Sequence, residues 1–252
     1  MSSSRFLACL LFLSLYNANA SASKSVDVIE LFTSQGCYSC PPADVFLGEL
    51  AQREEVIALS CHVTYWNYLG WQDTFSRPFC DNRQRQYQSA IKGYKGVYTP
   101  QMVVNGRYGG VGSQRTKIEG LIEYDHRQQT PVRAISLRIE DQLLTVSLPN
   151  VTDLPVQKRQ LFLLGTTGKH WLPIKSGENS GKRLPYFNPI EYVKNMGEWD
   201  GQAQSLQWVL PNNTAIKDWV VIAQQWPVGA MVAAGKVSSS SADQQLIGLI
   251  AK

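Results

Sequence analysis

The sequence of 252 residues has few cysteines, few histidines and no strong excess of either charge. Five cysteines are too few for a small protein built around a disulfide framework. The formal net charge of +4 comes without a clustered basic stripe, so we expect no binding to nucleic acid. Hydrophobic residues make up 44% of the chain, which is ordinary for a globular protein and excludes a disordered or collagen-like chain.

Residues 1–20 have the pattern of a secretory signal peptide. Arg5 precedes an apolar run, and Ala18-Asn19-Ala20 has the small residues of a cleavage site. We therefore expect an exported protein, periplasmic or secreted. No later apolar run is long enough to span a membrane, so we expect no integral membrane segment after cleavage. Cleavage also leaves four cysteines, an even number that tends to pair in an oxidising compartment: Cys37, Cys40, Cys61 and Cys80.

Hydrophobic periodicity divides the mature chain into residues 21–130 and residues 131–252. In the first half, β-rich runs at 26–33 and 56–63 flank a helical pattern at 43–52, which suggests a right-handed βαβ unit. Further helices are predicted at 77–92 and 113–129, and Asn105-Gly106 predicts a hairpin turn.

The second half has a different character. After Thr130-Pro131, apolar residues alternate with polar ones at 135–139 and 144–148, and more strand-like runs follow at 160–164 and 219–225. This alternation predicts an antiparallel β-sandwich, or a sheet that extends beside the first half. We therefore treat residues 131–252 as a β-rich domain or extension.

The motif Cys37-Tyr38-Ser39-Cys40 follows a predicted strand and precedes a predicted helix. The helix end favours a thiolate on Cys37, which could attack a partner's disulfide, and Cys40 could then resolve the mixed disulfide. Two other interpretations stay open. The pair could form a merely structural disulfide, or it could bind zinc, although the histidines are too widely separated to supply the usual further ligands.

Thr99-Pro100 stands immediately before the predicted strand at 101–104. In thioredoxin-like folds a cis-proline at this place packs against the CxxC motif, and its neighbouring backbone groups pair with a bound substrate chain. The alternative is an ordinary trans proline at the start of an edge strand.

Six segments of the chain resemble a secreted bacterial family that is catalogued as domain of unknown function 1223. They are ELFTSQGCYSCPPAD (30–44), HVTYWNYLGWQDTF (62–75), RQRQY (83–87), VYTPQMVVNGR (97–107), GENSGKRL (177–184) and GEWDG (197–201). The resemblance implies a thioredoxin-like fold, with Cys37 and Cys40 as the redox pair and Pro100 at the cis-proline position. We accordingly expect an α/β chain, thioredoxin-like in its N-terminal half, with an appended antiparallel β-rich half.

The sequence departs from the family pattern at two places. Cys61 and Cys80 are not typical of the family, and their joint presence suggests a second, structural disulfide; alternatively, Cys61 takes part in exchange at the CxxC. Pro41-Pro42 directly follows Cys40, and we expect these prolines to delay the start of the helix.

An aromatic-rich segment follows the second predicted strand. His62, Tyr65 and Trp66 could form a substrate groove with Thr99, where His62 would assist proton transfer. The alternative, which we favour for His62, is that these side chains simply pack under a long loop.

Two function hypotheses result from these features. The first is an exported thiol–disulfide oxidoreductase that acts on a protein or small-molecule thiol or disulfide partner and needs no cofactor. The second is a non-catalytic binding protein of the same fold. In that case the thiols would hold a soft metal such as copper, with His62 or Cys61, or the CxxC would remain a permanent disulfide.

Overall fold

The structure, a computed structural model, describes residues 25–93, 96–154 and 158–239. The predicted signal peptide at 1–20 lies outside these residues. The first part of the chain forms four strands and three α-helices: β1 (Ser25–Thr33), α1 (Pro41–Leu50), β2 (Val56–His62), α2 (Pro78–Ala90), β3 (Gln101–Val104), β4 (Tyr108–Val111) and α3 (Arg115–Arg127).

The second part of the chain contributes ten strands and, among the described residues, no α-helix. They are β5 (Val132–Ala134), β6 (Ser136–Glu140), β7 (Leu143–Leu148), β8 (Arg159–Thr166), β9 (Lys169–Pro173), β10 (Arg183–Phe187), β11 (Ile190–Trp199), β12 (Gln204–Val209), β13 (Asp218–Gln225) and β14 (Met231–Ser238).

Strand β1 lies at the centre of the first part. It pairs in parallel with β2, with Thr33 opposite His62, and it pairs antiparallel with β3. Because successive side chains of a strand point to opposite faces, β1 and β2 contribute to two apolar layers. On one face Leu31 packs with α1 and α3, and on the other face Phe32 packs with α2.

The predicted fold class was wrong. We expected an α/β chain with a thioredoxin-like N-terminal half and an appended antiparallel β-rich half. The described residues instead form fourteen strands against three α-helices, and one mixed nine-stranded sheet runs through both halves. Its strand order is β11-β8-β13-β14-β5-β1-β3-β4, with β2 also paired to β1.

The pairings of β5 explain why the expectation failed. Val26 of β1 pairs with Val132 of β5, and β5 pairs in parallel with β14 at Ala134 and Ala234. These contacts join segments that are far apart in the sequence. The expectation rested on local periodicity, which identifies strands but does not determine which strands pair.

Helix α1 begins earlier than the two prolines led us to expect. Cys40 is the N-cap residue with helical backbone angles, φ −78° and ψ −36°, and Pro41 and Pro42 occupy the first helical positions. Proline suits these positions because the N–H that it lacks would have no partner within the helix. The delay that we predicted therefore does not occur. The hairpin turn at Asn105-Gly106 is present, and both residues have positive φ angles, 50° and 67°.

Candidate functional site: the CxxC turn and the buried groups behind it

The CxxC motif forms the turn between β1 and α1. The backbone N–H of Cys37 donates to the Ser34 carbonyl at 3.1 Å, and that of Cys40 donates to the Cys37 carbonyl at 3.2 Å. Cys37 and Cys40 are joined in a disulfide, as predicted. Both cysteines are fully buried, with a relative exposure of 0%, whereas Tyr38 between them is 66% exposed.

A loop from the second half of the chain covers this turn. We call residues 174–182, between β9 and β10, the covering loop. The Asn179 side-chain amide donates to the backbone carbonyls of Gln35 and Cys37, at 3.0 and 2.9 Å. The backbone N–H of Tyr38 donates to Glu178 at 3.0 Å. Side chains of the covering loop therefore bind the backbone of the CxxC turn.

Lys182, the last residue of the covering loop, contacts the exposed Tyr38 side chain of the motif. Its ammonium lies 4.4 Å from the centre of the Tyr38 ring, a cation–π contact, and donates to Asn179 Oδ1 at 2.9 Å. The sequence did not identify Asn179 or Lys182 as site residues. Both lie in the GENSGKRL segment, and its likeness to a family motif was the only signal that could have drawn attention to them.

The Thr99-Pro100 segment lies beside the CxxC turn, with Trp66 between them. The Thr99–Pro100 peptide bond is cis. The Trp66 indole donates to the Thr99 hydroxyl at 2.7 Å. Trp66 also lies against Gly36, the residue before Cys37, because a Cβ atom added to this glycine would be only 3.4 Å from the Cβ of Trp66. The structure thus brings together Trp66, Thr99 and the CxxC turn, which were linked only as a hypothesis in the sequence.

Tyr65 is oriented mainly toward α2. Its hydroxyl donates to Gln84 Oε1 at 3.1 Å and lies beside Thr99. Burial raises the pKa of Tyr65 to about 12, so the hydroxyl is neutral at ordinary pH. Tyr65 thus supports the Thr99 side of the site as a neutral hydrogen-bonding group.

His62 lies at the end of β2 in a fully buried ion pair. Its Nδ1 is 2.8 Å from Asp73 Oδ2, and that oxygen also accepts the backbone N–H of Gln35 at 2.8 Å. Burial opposes the charge on His62, but the Asp73 carboxylate outweighs it and raises the pKa of His62. Burial likewise opposes ionisation of Asp73, and the His62 imidazolium outweighs it, which lowers the pKa of Asp73.

Two further groups complete what we call the acid–histidine cluster, defined as Asp44, His62, Asp73 and Tyr186. Asp44 of α1 is 3% exposed, and burial raises its pKa to about 7, although His62 acts in the opposite direction. The Tyr186 ring of β10 meets the His62 ring edge-on, with 5.3 Å between centroids. Burial raises the pKa of Tyr186 as well. The cluster lies directly behind the CxxC turn, since Asp44 follows Cys40 by one helical turn and Asp73 binds Gln35.

The sequence analysis did not single out Asp44 or Tyr186 as site residues. The available signal for Asp44 was its place on the apolar face of α1, where Ala43, Phe46 and Leu47 are buried with it. A carboxylic acid at such a position is unusual and points to a special environment. No local signal distinguishes Tyr186 from an ordinary strand residue.

The second predicted disulfide, Cys61–Cys80, is also present. It lies on the opposite face of β2 from His62, packed among apolar side chains that include Phe32, Leu59 and Tyr87. Cys61 therefore points away from the layer that contains Asp44 and His62. This placement supports a structural bridge and counts against the alternative in which Cys61 exchanges with the CxxC.

Among residues 25–93, 96–154 and 158–239, no group of three or more histidine, cysteine, aspartate or glutamate side chains is arranged so that it could hold a metal ion. No α-helix in the same ranges is long and apolar enough to cross a membrane.

Comparison with solved structures finds two informative relatives. One is the crystal structure of a protein from Agrobacterium tumefaciens whose sequence is 29% identical to this one. The two structures match with a TM-score of 0.73, over 86% of this chain and 96% of that chain. HBP35 of Porphyromonas gingivalis is 13% identical, with a TM-score of 0.60, over 86% of this chain and 76% of that chain, and is similar in fold alone.

No curated protein matches the chain. A family model described as "Protein of unknown function (DUF1223)" matches residues 28–224, a span that includes the CxxC turn, the acid–histidine cluster and the covering loop. The chain therefore belongs to this protein family of unknown function.

Proposed function

We propose that the chain is an exported thiol–disulfide oxidoreductase that acts through Cys37 and Cys40 on the thiol or disulfide of a partner protein or small molecule. The observation that carries the proposal is the position of the Cys37–Cys40 disulfide at the start of α1, immediately in front of buried Asp44 and the His62–Asp73 pair. A permanent bridge has no use for buried ionisable groups, which cost stability. Disulfide exchange, by contrast, creates and consumes charge on sulfur at this place.

Cys37 is the attacking residue in this proposal and Cys40 the resolving one. In the oxidising direction, a partner thiolate attacks Cys37 Sγ, the Cys37–Cys40 bond breaks and its electron pair goes to Cys40 Sγ. A second thiolate of the partner then attacks the mixed disulfide, which leaves the partner oxidised and Cys37 reduced. The reverse sequence reduces a partner disulfide, so atoms and electrons balance in either direction.

Thr99, held by its cis bond to the buried Pro100, supplies part of the surface against which the partner lies in this proposal. Thr99 is half-buried, and its hydroxyl is held by Trp66 on the side of the CxxC turn. The Pro100 carbonyl is already occupied by the backbone N–H of Gly112 at 3.0 Å. Contacts of the partner would therefore be made by Thr99 and the exposed Tyr38 rather than by the Pro100 carbonyl.

Access to Cys37 requires movement of the covering loop. With Asn179 bound to the Cys37 carbonyl and both cysteines buried, a partner thiolate cannot reach Cys37 Sγ in the conformation described. The contacts between the loop and the CxxC turn are the Asn179 bonds, the Glu178 bond and the Lys182–Tyr38 contact, and Ser176 Oγ of the loop also donates to the Gly70 carbonyl. The proposal thus includes opening of this loop as the step that admits the partner.

The burial of both cysteines is also the observation that favours a second candidate, a partner-binding protein in which Cys37–Cys40 is a permanent bridge. The copper version of this candidate loses one of its suggested ligands, because Cys61 is bonded to Cys80 on the other face of β2. The permanent-bridge version is the one that the experiment below must separate from catalysis.

Capture of a mixed disulfide tests the proposed function. In the Cys40→Ser variant, Cys37 keeps a free thiol that can attack a disulfide reagent and cannot then be resolved. We expect this variant to form a mixed disulfide at least about tenfold faster than the matched Cys37→Ser variant, in which only the inner thiol remains. Addition of Asn179→Ala to Cys40→Ser should increase the rate further. Equal rates in the two single variants would support the permanent-bridge candidate instead.

A further inference from the structure

The start of α1 offers Cys40 little help in carrying a negative charge. Pro41 and Pro42 have no N–H, and the N–H groups of Ala43 and Asp44 both donate to the Cys40 carbonyl, at 2.8 and 3.1 Å. The donors that usually stabilise a thiolate at a helix N-terminus are therefore missing or occupied within this turn. A Cys40 thiolate released here would be a buried charge, which is costly unless a proton reaches it.

Asp44 is placed to supply that proton. Cys40 has helical backbone angles, so it and Asp44, at positions i and i+4, lie on the same face of α1 one turn apart. Both residues are buried on this face, at 0% and 3% relative exposure.

The layer around Asp44 is unusually polar for the interior of a protein. The alternation of side chains along β1 and β2 places Thr33, Ser60 and His62 on the face that α1 covers. Four buried atoms in this layer have no hydrogen-bond partner among the described residues: Thr33 Oγ1, Ser60 Oγ, His62 Nε2 and Tyr186 Oη. Native proteins rarely leave buried polar atoms unpaired, and such a group needs an explanation.

We infer that Asp44 exchanges a proton with Cys40 during the redox cycle, and that the His62–Asp73 pair is the positioning unit that fixes the charge next to it. This inference rests on the proposed function, because it describes how the same Cys37–Cys40 bond opens and closes.

The proton balance is simple in both directions. When a partner thiolate attacks Cys37 Sγ, the electron pair of the broken bond goes to Cys40 Sγ, and the Asp44 carboxylic acid gives its proton to that sulfur. Cys40 becomes a neutral thiol and Asp44 a carboxylate. When the bond re-forms, the Asp44 carboxylate takes the proton from Cys40, whose thiolate then attacks the Cys37 sulfur of a mixed disulfide; the bond between Cys37 and the partner breaks, and the partner leaves as a thiolate.

The surroundings of Asp44 suit it to this role. Burial brings its pKa to about 7, so both protonation states are accessible near neutral pH. The polar and titratable groups that face it come from each element packed against α1 at this point: Thr33 from β1, His62 from β2, Asp73 from the following loop and Tyr186 from β10. The imidazolium of His62 favours the carboxylate form, and Asp73 disfavours it.

The test is the pH profile of reduction of the Cys37–Cys40 bond by dithiothreitol in the full mature chain, with each rate divided by the thiolate fraction of the reductant. We expect the wild-type rate to fall about tenfold between about pH 6 and pH 8.5, as Asp44 loses its proton. In the Asp44→Asn variant the profile should be flat, and the rate at pH 6 at least about tenfold below wild type. The matched control is Asp218→Asn, which removes another carboxyl with a raised pKa, far along the chain in β13, and should leave the profile unchanged.

A second measurement separates proton transfer from a mere structural effect. In the Cys40→Ser background, Asp44→Asn should leave capture of a disulfide by Cys37 unchanged, because the proton concerns Cys40 alone. A wild-type profile in Asp44→Asn, or an equal loss of Cys37 capture, would overturn the role of Asp44 while the oxidoreductase proposal stands. A wild-type bond that dithiothreitol cannot open without unfolding the protein would overturn the oxidoreductase proposal itself.

Discussion

Strand β1 has a buried charged cluster on each of its two faces, and the two clusters are constructed differently. On the α2 face, the Arg83 guanidinium donates to both carboxylate oxygens of Glu30, at 2.5 and 3.0 Å, and to Gln224 Oε1 at 2.9 Å. The Tyr87 hydroxyl donates to the same carboxylate. Every charge in this cluster, which we call the Glu30–Arg83 cluster, is paired and hydrogen-bonded.

On the α1 face, the acid–histidine cluster is less complete. His62 and Asp73 form one pair, but His62 Nε2 and the Tyr186 hydroxyl have no partner in the described part of the chain, and Asp44 is a third ionisable group beside that pair. The same strand therefore separates a cluster whose charges are fixed from one whose charge can change.

This difference assigns the Glu30–Arg83 cluster to stability and, under the proposed function, the acid–histidine cluster to chemistry. The Glu30–Arg83 cluster joins β1, α2 and β13, and so connects the two parts of the chain through Gln224. A complete network of this kind holds elements in place. The acid–histidine cluster lies behind a disulfide and keeps one carboxyl near its midpoint of titration, which is useful only where protons move.

Breaking the Glu30–Arg83 cluster should have the largest effect. Arg83→Met leaves Glu30 buried, with 0% relative exposure, and without its cation. We expect the free energy of unfolding to fall by about 4 kcal/mol, because an uncompensated buried charge is expensive. Urea denaturation followed by circular dichroism measures this loss.

Arg53→Met is the matched control for Arg83→Met. It removes an arginine that binds Glu119 at the surface, where the two side chains are 39% and 36% exposed. The free energy of unfolding should fall by less than about 1 kcal/mol in this variant, because solvent screens ion pairs at the surface. Similar losses in the two variants would show that the buried cluster has no special role in stability.

The pH dependence of stability tests whether the charge of the acid–histidine cluster can change. Asp44 has a folded pKa of about 7 against the ordinary value of 3.8, so its carboxyl costs stability as pH rises from about 4 through 7. Asp44→Asn should therefore have little effect at pH 4 and should stabilise the protein by about 4 kcal/mol at pH 8 relative to that effect. Denaturant melts at the two pH values provide the comparison.

Asp73→Asn should show the opposite sign. The pKa of Asp73 is lowered by His62, so the stability that this carboxylate contributes is present above its unfolded pKa and is lost as pH falls through its folded pKa. The Asp73→Asn substitution should destabilise the protein more at pH 7 than in acid.

If Asp44→Asn instead became more destabilising as pH rises, the buried carboxyl of Asp44 would not be the protonated group described above.

Local structure near the site could be predicted from the sequence because its signals are local. The alternating and helical patterns identified β1, α1 and β2, and Asn105-Gly106 identified the hairpin turn. A disulfide between Cys61 and Cys80 was also expected, because these two cysteines together depart from the family pattern in an exported protein, and the structure contains that disulfide.

What could not be predicted depends on contacts between distant segments. The fold class was wrong because the pairing of β1 with β5 joins the two halves in one sheet. Strands β9 to β11, between Lys169 and Trp199, were not identified as strands at all. The hydrogen bond from Asn179 to the Cys37 carbonyl joins residues 142 positions apart in the sequence, and hydrophobic periodicity does not predict such a contact.

Of the two disulfides, Cys37–Cys40 is the redox-active one in the proposed function, and a redox titration of the intact protein can distinguish the two. The protein would be equilibrated in dithiol buffers of graded potential, and its free thiols alkylated and located by mass spectrometry. We expect Cys37–Cys40 to open reversibly at a potential between about −270 and −120 mV, while Cys61–Cys80 in the apolar core stays closed. A Cys37–Cys40 bond that stays closed below about −300 mV, or that opens only together with Cys61–Cys80 as the protein unfolds, would contradict the claim.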